Sequence, residues 1–249
     1  MADLRLIIDY CDRLLEIEAF EDHCPNGLQV EAGGEVRRIV SGVTASQALI
    51  EAATQLQADL LLVHHGYFWK GEPQPLVGMK GRRVAALYRG GISLAAYHLP
   101  LDAHPELGNN AMLGRLLEID QPAAVAESGL LWAGGMSPAR TAEELSAFLE
   151  ERLGRPPLWL AGGPSHIKRV AWCSGAAQGF ISRAADLGCQ AFISGEVSEQ
   201  TFHQASELGI HYFAAGHHAT ERYGIQALGD TLAGEFGVEH RFVDLQNPV

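Results

Sequence analysis

The chain has 249 residues, of which 47% are hydrophobic and 19% are charged, a balance typical of a globular rather than a disordered protein. Its formal net charge is −12, so its electrostatic field repels polyanions and excludes duplex nucleic acid as an expected partner. No apolar run approaches the roughly 20 residues that span a bilayer, and the four cysteines lack CxxC spacing. We therefore expect a cytoplasmic protein with reduced thiols and no membrane partner.

The first elements along the chain form a predicted βαβ unit. Apolar residues recur at helical spacing over residues 4–15, which predicts an opening helix. A strand at residues 39–40 is followed by a helix over residues 48–56 with Ser46 as its cap, and then by the apolar run of residues 60–63. Open α/β sheets bind ligands beyond the carboxyl ends of their strands, so the loop after residue 63 is a predicted site.

The second half of the chain begins as a new unit. Thr141 and Glu144 form a capping-box pattern at the start of a predicted helix that runs to Leu153, with Gly154 after it. Glycine and proline between residues 134 and 164 indicate a boundary near residue 125. We predict a first lobe over residues 1–125 and a second over residues 126–249.

An internal repeat relates these two halves. Residues 36–65 align without gaps onto residues 167–196 at a constant offset of 131, with four identities and similar apolar positions. The predicted fold is therefore α/β, with two related lobes from an internal duplication and a metal site in the cleft between them. After an extra stretch at residues 68–81, the correspondence resumes with residues 95–98 opposite residues 214–217, so that Asp102 falls opposite Glu221 and each follows a histidine by four residues.

His64 and His65 follow the buried strand directly. Adjacent residues of an extended chain point to opposite sides, so the two imidazoles are expected to reach two different metals. The alternative is a pair of polar loop residues that bind nothing.

His217 and Glu221 stand four residues apart after Gly216, and the following residues have helical spacing. They would share one face of the first helical turn, which suits metal binding by a nitrogen and a bridging carboxylate. The alternative is a glutamate favoured by the helix dipole beside an exposed histidine. His218 and Glu196 are further candidates for polar groups in the site.

His98 and Asp102 have the same spacing, but Pro100 lies between them and predicts a loop instead of a helix. Asp102 is the better candidate ligand. We expect His98 to be a general acid or base, or a partner of a ligand, because histidine is the residue type that transfers protons most readily near neutral pH. A purely structural histidine is the alternative.

The chain resembles the Nif-three-like family, the GTP cyclohydrolase type 2 homologs, over essentially its whole length and in the short form without a central insertion. Three motifs carry the resemblance: Val63-His64-His65-Gly66 with Trp69-Lys70, Ala96-Tyr97-His98-Leu99-Pro100-Leu101-Asp102, and Gly216-His217-His218-Ala219-Thr220-Glu221. By motif position, the resemblance implies that two divalent metals are bound by His64, His65, Asp102, His217 and Glu221. It also implies a ring-shaped homohexamer.

The sequence thus leads to two hypotheses of different classes. The first is a dinuclear metal-dependent hydrolase that acts on a small molecule such as a nucleotide, with GTP ring opening as one example. The second is a non-catalytic metal-binding assembly or adaptor protein. Mixed nitrogen and oxygen ligands accommodate zinc, iron, manganese or nickel, so the identity of the metal stays open.

Overall fold

A computed structural model describes residues 1–126 and 128–249 and has the predicted α/β class. The strands are β1 (Ala2–Asp3), β2 (Gly27–Val30), β3 (Glu35–Val36), β4 (Arg38–Thr44), β5 (Leu60–His65), β6 (Ser93–Ala96), β7 (Asp120–Ala124), β8 (Trp132–Arg140), β9 (Leu158–Leu160), β10 (Ile167–Cys173), β11 (Ala191–Ser194), β12 (His211–Ala214) and β13 (Glu239–Phe242). The α-helices are α1 (Leu4–Leu14), α2 (Gln47–Gln55), α3 (Gly78–Gly90), α4 (Leu99–Ala103), α5 (Asn109–Leu116), α6 (Ala142–Leu153), α7 (Ile181–Asp186), α8 (Glu199–Leu208), α9 (His217–Thr220) and α10 (Arg222–Phe236). Two short 3₁₀ turns cover Ile17–Ala19 and Gln178–Phe180.

The first compact unit comprises Met1–Leu101 and Gly224–Gln246. Its main sheet has the order β13-β4-β5-β6-β2, in which β13, β4, β5 and β6 pair in parallel and β2 is an antiparallel edge. The predicted βαβ unit is confirmed by β4, α2 and β5, and Ser46 accepts a hydrogen bond from the Leu49 backbone N–H at 3.2 Å. Leu49 and Leu61 are buried in the core of this unit, and this packing of α2 and β5 holds the carboxyl end of β5 in place.

The second compact unit comprises Asp102–Tyr223 and Asn247–Val249. Its sheet has the order β7-β8-β10-β11-β12-β9, with β10, β11 and β12 parallel and the outer strands antiparallel. The predicted capping box is confirmed at the start of α6, where Glu144 N–H donates to Thr141 Oγ1 and Thr141 N–H donates to Glu144 Oε2. Trp172 and Phe213 lie in the buried core beneath this helix.

The units differ from the predicted division at residue 125. β7 pairs with β8, so the residues just before 125 belong to the second sheet, and Asp102 falls in the second unit. β13 pairs with β4, which returns residues 224–246 to the first unit. Each unit contains three consecutive parallel strands, β4-β5-β6 or β10-β11-β12, but the proposed duplication stays a prediction.

Two local expectations are corrected by the structure. The segment that contains Pro100 is the short helix α4, not a loop, because a proline in the first helical turn removes an N–H that has no helical acceptor there. The helix predicted to carry His217 and Glu221 breaks at Glu221, whose φ of −117° separates α9 from α10. Among the described residues, no helix combines the length and the apolar character needed to cross a bilayer.

Candidate functional site

Three imidazoles meet at the carboxyl edge of the first sheet. His64 and His65 are the last residues of β5, not members of the following loop, and His98 comes two residues after β6. One ring nitrogen of each lies within 4.8 Å of the others. The ring centroids of His64 and His65 are 4.6 Å apart. The two imidazoles therefore lie close together at the strand end, although adjacent side chains of an extended strand were expected to point to opposite sides. His64 is fully buried, whereas the other two are half-buried.

Hydrogen bonds orient the two consecutive histidines from neighbouring strands. His64 Nδ1 lies 2.8 Å from the carbonyl oxygen of Tyr97, which follows β6. Because a carbonyl only accepts, Nδ1 carries the proton and Nε2 carries the lone pair that a metal requires. His65 Nδ1 lies 3.2 Å from Thr44 Oγ1 at the end of β4.

His98 is oriented by a network that the sequence analysis did not identify. Its Nδ1 lies 2.7 Å from Asp22 Oδ1, and Asp22 Oδ2 accepts hydrogen bonds from Leu99 N–H and Asn26 Nδ2, each at 2.9 Å. Asn26 Oδ1 in turn accepts from the His98 backbone N–H at 2.7 Å. Cys24 Sγ, Asp22 and His98 form a second compact group of polar atoms in this unit. A carboxylate partner on Nδ1 directs the lone pair of the His98 imidazole to Nε2.

The pKa of Asp22 reflects this network. Burial by itself would raise the pKa, but hydrogen bonds from His98 and Asn26, with the charge of His98, hold it well below its ordinary value of 3.8. Asp22 is therefore ionised at neutral pH and acts as a fixed hydrogen-bond acceptor.

Trp69 lies beside the same imidazoles. Its ring centroid is 5.0 Å from that of His98 and 5.9 Å from that of His65, and its Nε1–H donates to Gly66 O at 3.2 Å. Tyr67, by contrast, is buried in the core. Only part of the aromatic segment after His65 therefore adjoins the histidines.

Asp102 is held in the second unit by two buried donors. Its Oδ1 accepts from Asn109 Nδ2 at 2.8 Å and from Ser174 Oγ at 2.9 Å. Asn110 supports both ends of this arrangement, because its Nδ2 donates to the Asp102 carbonyl and its Oδ1 accepts from Ser174 N–H. A carboxylate oxygen of Asp102 lies within 4.8 Å of one of Glu221, and both residues are buried.

His217 lies between two carboxylates of the second unit. Its Nε2 is 3.1 Å from Glu221 Oε2, and its Nδ1 is 2.6 Å from Glu196 Oε1. Burial alone would lower the pKa of His217, but hydrogen bonds and charge from Glu221 and then Glu196 raise it to about 9. A metal that binds Nε2 would replace a proton, while Glu196 would keep holding Nδ1, as is usual for metal-ligating histidines.

A glycine turn makes room for the side chains of His217 and Glu221. Gly175 follows β10 with φ +63°, and its N–H donates to Thr220 Oγ1 at 3.0 Å. A Cβ atom at this position would lie 2.2 Å from Glu221 Oε1 and 3.2 Å from His217 Nε2. The backbone thus approaches both side chains more closely than any other residue type would allow.

The structure groups the predicted residues within each unit. His64, His65 and His98 meet in the first unit, and Asp102, His217 and Glu221 meet in the second. His218 is buried, and its backbone N–H donates to Val249 O. The sequence analysis missed five supporting residues: Asp22, Thr44, Asn109, Asn110 and Ser174. The position of Ser174 directly after a strand was a signal for it, but the others contact their partners only through the fold.

Comparison with known proteins places the chain in a family. A family model described as Duf34/NIF3 (NGG1p interacting factor 3) matches residues 2–248. The chain belongs to the DUF34/NIF3 family. The predicted resemblance is thereby confirmed.

Individual relatives agree over the full length. A protein of Allochromatium vinosum named GTP cyclohydrolase 1 type 2 homolog is 56% identical over 249 residues, which cover 100% of this chain and 98% of that protein. The solved structure of protein ybgI, described as of unknown function, is 48% identical with a TM-score of 0.96, and each chain is covered completely. A protein from Thermus thermophilus is 35% identical with a TM-score of 0.93, again with complete coverage of both chains.

Proposed function

We propose that this DUF34/NIF3 protein is a divalent-metal-dependent hydrolase that binds about two cations per chain and acts on a nucleotide-like small molecule. The proposed ligands are His64 and His65 of the first unit and Asp102, His217 and Glu221 of the second. One observation carries the proposal: the Nδ1 atoms of His64 and His217 are each held by an acceptor, as is usual for metal-ligating histidines, and Nε2 of His217 lies 3.1 Å from the proposed ligand Glu221.

The chemistry of the donors suits a divalent cation. The set combines imidazole nitrogens with carboxylate oxygens, which bind zinc, iron, manganese or nickel. Asp102 and Glu221 are 5% and 3% exposed, and burying two carboxylates at short range requires compensating positive charge, which protonated His217 supplies in part and a divalent cation would supply in its place. When bound, such cations polarise a substrate bond and make water a nucleophile near neutral pH.

We propose that His98 carries the proton in this reaction. Asp22 holds its Nδ1–H at 2.7 Å, so Nε2 is the atom that accepts a proton and later donates it to the leaving group. The same carboxylate stabilises the imidazolium that forms when Nε2 is protonated. Asp22 is the positioning residue of this pair, because it acts only through His98.

The substrate class is proposed from the names of relatives and from the donor set. Relatives at about half identity are named GTP cyclohydrolase 1 type 2 homolog, so GTP and other purine nucleotides are the first compounds to test. The half-exposed Trp69 ring near His98 offers a flat apolar surface for a heterocyclic base.

The deciding experiment measures metal and turnover on the same samples. Untagged wild-type protein, Glu221→Gln and the control Glu207→Gln, whose glutamate is exposed on α8, are analysed by elemental mass spectrometry. Each is then incubated with a nucleotide panel, and products are separated by liquid chromatography. We expect about two metals per chain and turnover in the wild type and the control, with loss of both in Glu221→Gln.

Two outcomes would contradict the hydrolase. Wild-type protein that cannot be loaded with any of the four metals overturns the metal site. Loaded protein that turns over no compound favours the alternative of a metal-dependent assembly protein. We also propose the homohexamer of the family resemblance, which light scattering after gel filtration tests as a mass six times the 26.9 kDa of the chain.

A further inference from the structure

A cavity of about 420 Å³ lies in the second unit, outside the set of proposed metal ligands. Its polar lining includes Arg155 and Glu196, and its apolar lining includes Leu158, Val197 and Pro248. Its volume falls within the range of small-molecule sites, about 300–1,000 Å³, and it combines a mostly apolar wall with few charged groups, as such sites do.

Arg155 is the unusual member of this lining. Its guanidinium lies against the backbone of Gly216, where a Cβ atom would be only 2.4 Å from Nη1. Nη1 is buried, and it has no hydrogen-bond partner among the residues that the structure describes. A buried donor without an acceptor costs free energy that a bound anion would recover.

Glu196, the acidic side chain of the same lining, makes its close contact with His217 and not with Arg155. Its Oε1 lies 2.6 Å from His217 Nδ1, so its carboxylate already has a hydrogen-bond donor. Arg155 is thus the charge in the cavity that a ligand can still satisfy. A guanidinium group presents its N–H donors as a planar fork, which matches two oxygens of a phosphate or a carboxylate.

We propose that this cavity binds a small molecule through an oxyanion group, a phosphate or a carboxylate, which pairs with Arg155 while an apolar part of the molecule packs against Leu158 and Val197. Because Glu196 both lines the cavity and holds His217, such a ligand lies next to a proposed metal ligand. The inference that this small molecule is the substrate of the hydrolase rests on the proposed function. The inference that it binds in the cavity does not.

The experiment uses metal-free protein, so that an anion cannot bind through a cation. After removal of metals with EDTA and dialysis, isothermal titration calorimetry measures the binding of phenyl phosphate, benzoate and inorganic phosphate. The variants are Arg155→Met, which keeps an apolar stem, and Arg155→Lys, which keeps the charge but loses the fork. The control is Arg183→Met, which removes an exposed arginine of α7 in the same unit.

We expect phenyl phosphate or benzoate to bind wild-type protein once per chain, and the stronger of the two identifies the oxyanion. Arg155→Met should weaken binding at least about tenfold, which corresponds to about 1.4 kcal/mol. Arg155→Lys should show a smaller loss, and Arg183→Met should bind as the wild type does. Thermal unfolding of every variant confirms that each is folded before it is titrated.

Two results would overturn the proposal. One is that the wild type and Arg155→Met bind the probes with equal affinity, or that neither protein binds them. The other is a change of oligomeric mass in Arg155→Met without any anion binding, which would show that Arg155 pairs with a second copy of the chain. Metal content measured on the same wild-type preparation before EDTA treatment keeps the two proposals separate, because full metal sites in that sample, with no anion binding after metal removal, reject only this one.

Discussion

Replacing Gly175 with alanine is the sharpest test of how the second unit holds its ligands. The new Cβ atom would lie 2.2 Å from Glu221 Oε1, and an ordinary van der Waals contact requires at least about 3.4 Å. The glutamate oxygen must therefore move by more than about 1 Å. Misplacement of this size at a preorganised site is expected to lower metal affinity by about 10- to 100-fold.

The same substitution also strains the backbone, and a control separates this effect. Gly175 has φ +63°, where a residue with Cβ costs about 1–2 kcal/mol. Gly188 has φ +70°, but a Cβ atom there would meet no other atom within 4 Å, so Gly188→Ala carries the strain without the collision. Both variants should unfold at temperatures lower by a few degrees, about 2–4 °C for each kcal/mol lost in a chain of this size.

The assay measures zinc and manganese affinity by calorimetry and stability by thermal unfolding, on both variants and the wild type. Only Gly175→Ala should lose metal affinity, whereas the two variants should lose similar stability. If Gly175→Ala bound metal as tightly as Gly188→Ala, the assignment of Glu221 and His217 as ligands would be refuted.

Two further predictions concern Asp22 and the thiols. Asp22→Asn should leave metal content unchanged but lower turnover at least about tenfold, because the amide no longer stabilises a protonated His98. The pKa of Asp22 is depressed by folding, so its contribution to stability is complete above its unfolded value of 3.8 and is lost as the pH falls further. The stability difference between wild type and Asp22→Asn, measured by urea unfolding from pH 7 to pH 3, should therefore shrink below pH 4; a constant difference would argue against an ionised Asp22. All four cysteines are buried, and burial raises the pKa of Cys11 and of Cys24 to about 12. Native protein at pH 8 should react slowly with Ellman's reagent and release four equivalents only after denaturation, and fast reaction of the native protein would contradict this.

The fold was predictable where the signal is local. The cap at Ser46, the capping box at Thr141 and the strand of residues 60–63 depend on neighbours within a few positions, and the structure confirms all three. The division into units was not predictable in the same way. The pairing of β13 with β4 joins residues about 200 positions apart, and no short-range pattern records it.

The candidate site shows the same difference between features with a local sequence signal and features that depend on distant residues. His64 and His65 end a strand and His217 follows a glycine, and the spacing of the proposed ligands predicted them before the fold was known. The groups that orient them come from distant parts of the sequence: Asp22 is 76 residues from His98, and Ser174 is 72 residues from Asp102. Such partners become visible only when the topology brings them together, which is why the sequence predicted ligands but not what holds them in place.

The two buried carboxylates of the second unit lead to a last prediction. Oxygens of Asp102 and Glu221 lie within 4.8 Å, and two full charges at that distance repel by about 3.5 kcal/mol at an effective dielectric constant of about 20, a repulsion that protonated His217, 3.1 Å from Glu221, offsets only in part. A bound divalent cation would turn this repulsion into attraction. Asp102→Asn removes one charge but keeps an oxygen that can accept from Asn109 and Ser174.

Metal-free Asp102→Asn should therefore unfold at a higher temperature than metal-free wild type, whereas added manganese or zinc should stabilise only the wild type strongly. The control Asp186→Asn, at an exposed position of α7, should follow the wild type in both conditions. A metal-free Asp102→Asn that is less stable than the wild type would mean that hydrogen bonding to Asp102 outweighs its repulsion from Glu221. In that case the paired carboxylates would be a structural feature of the fold, and the case for a cation beside them would rest on the histidines alone.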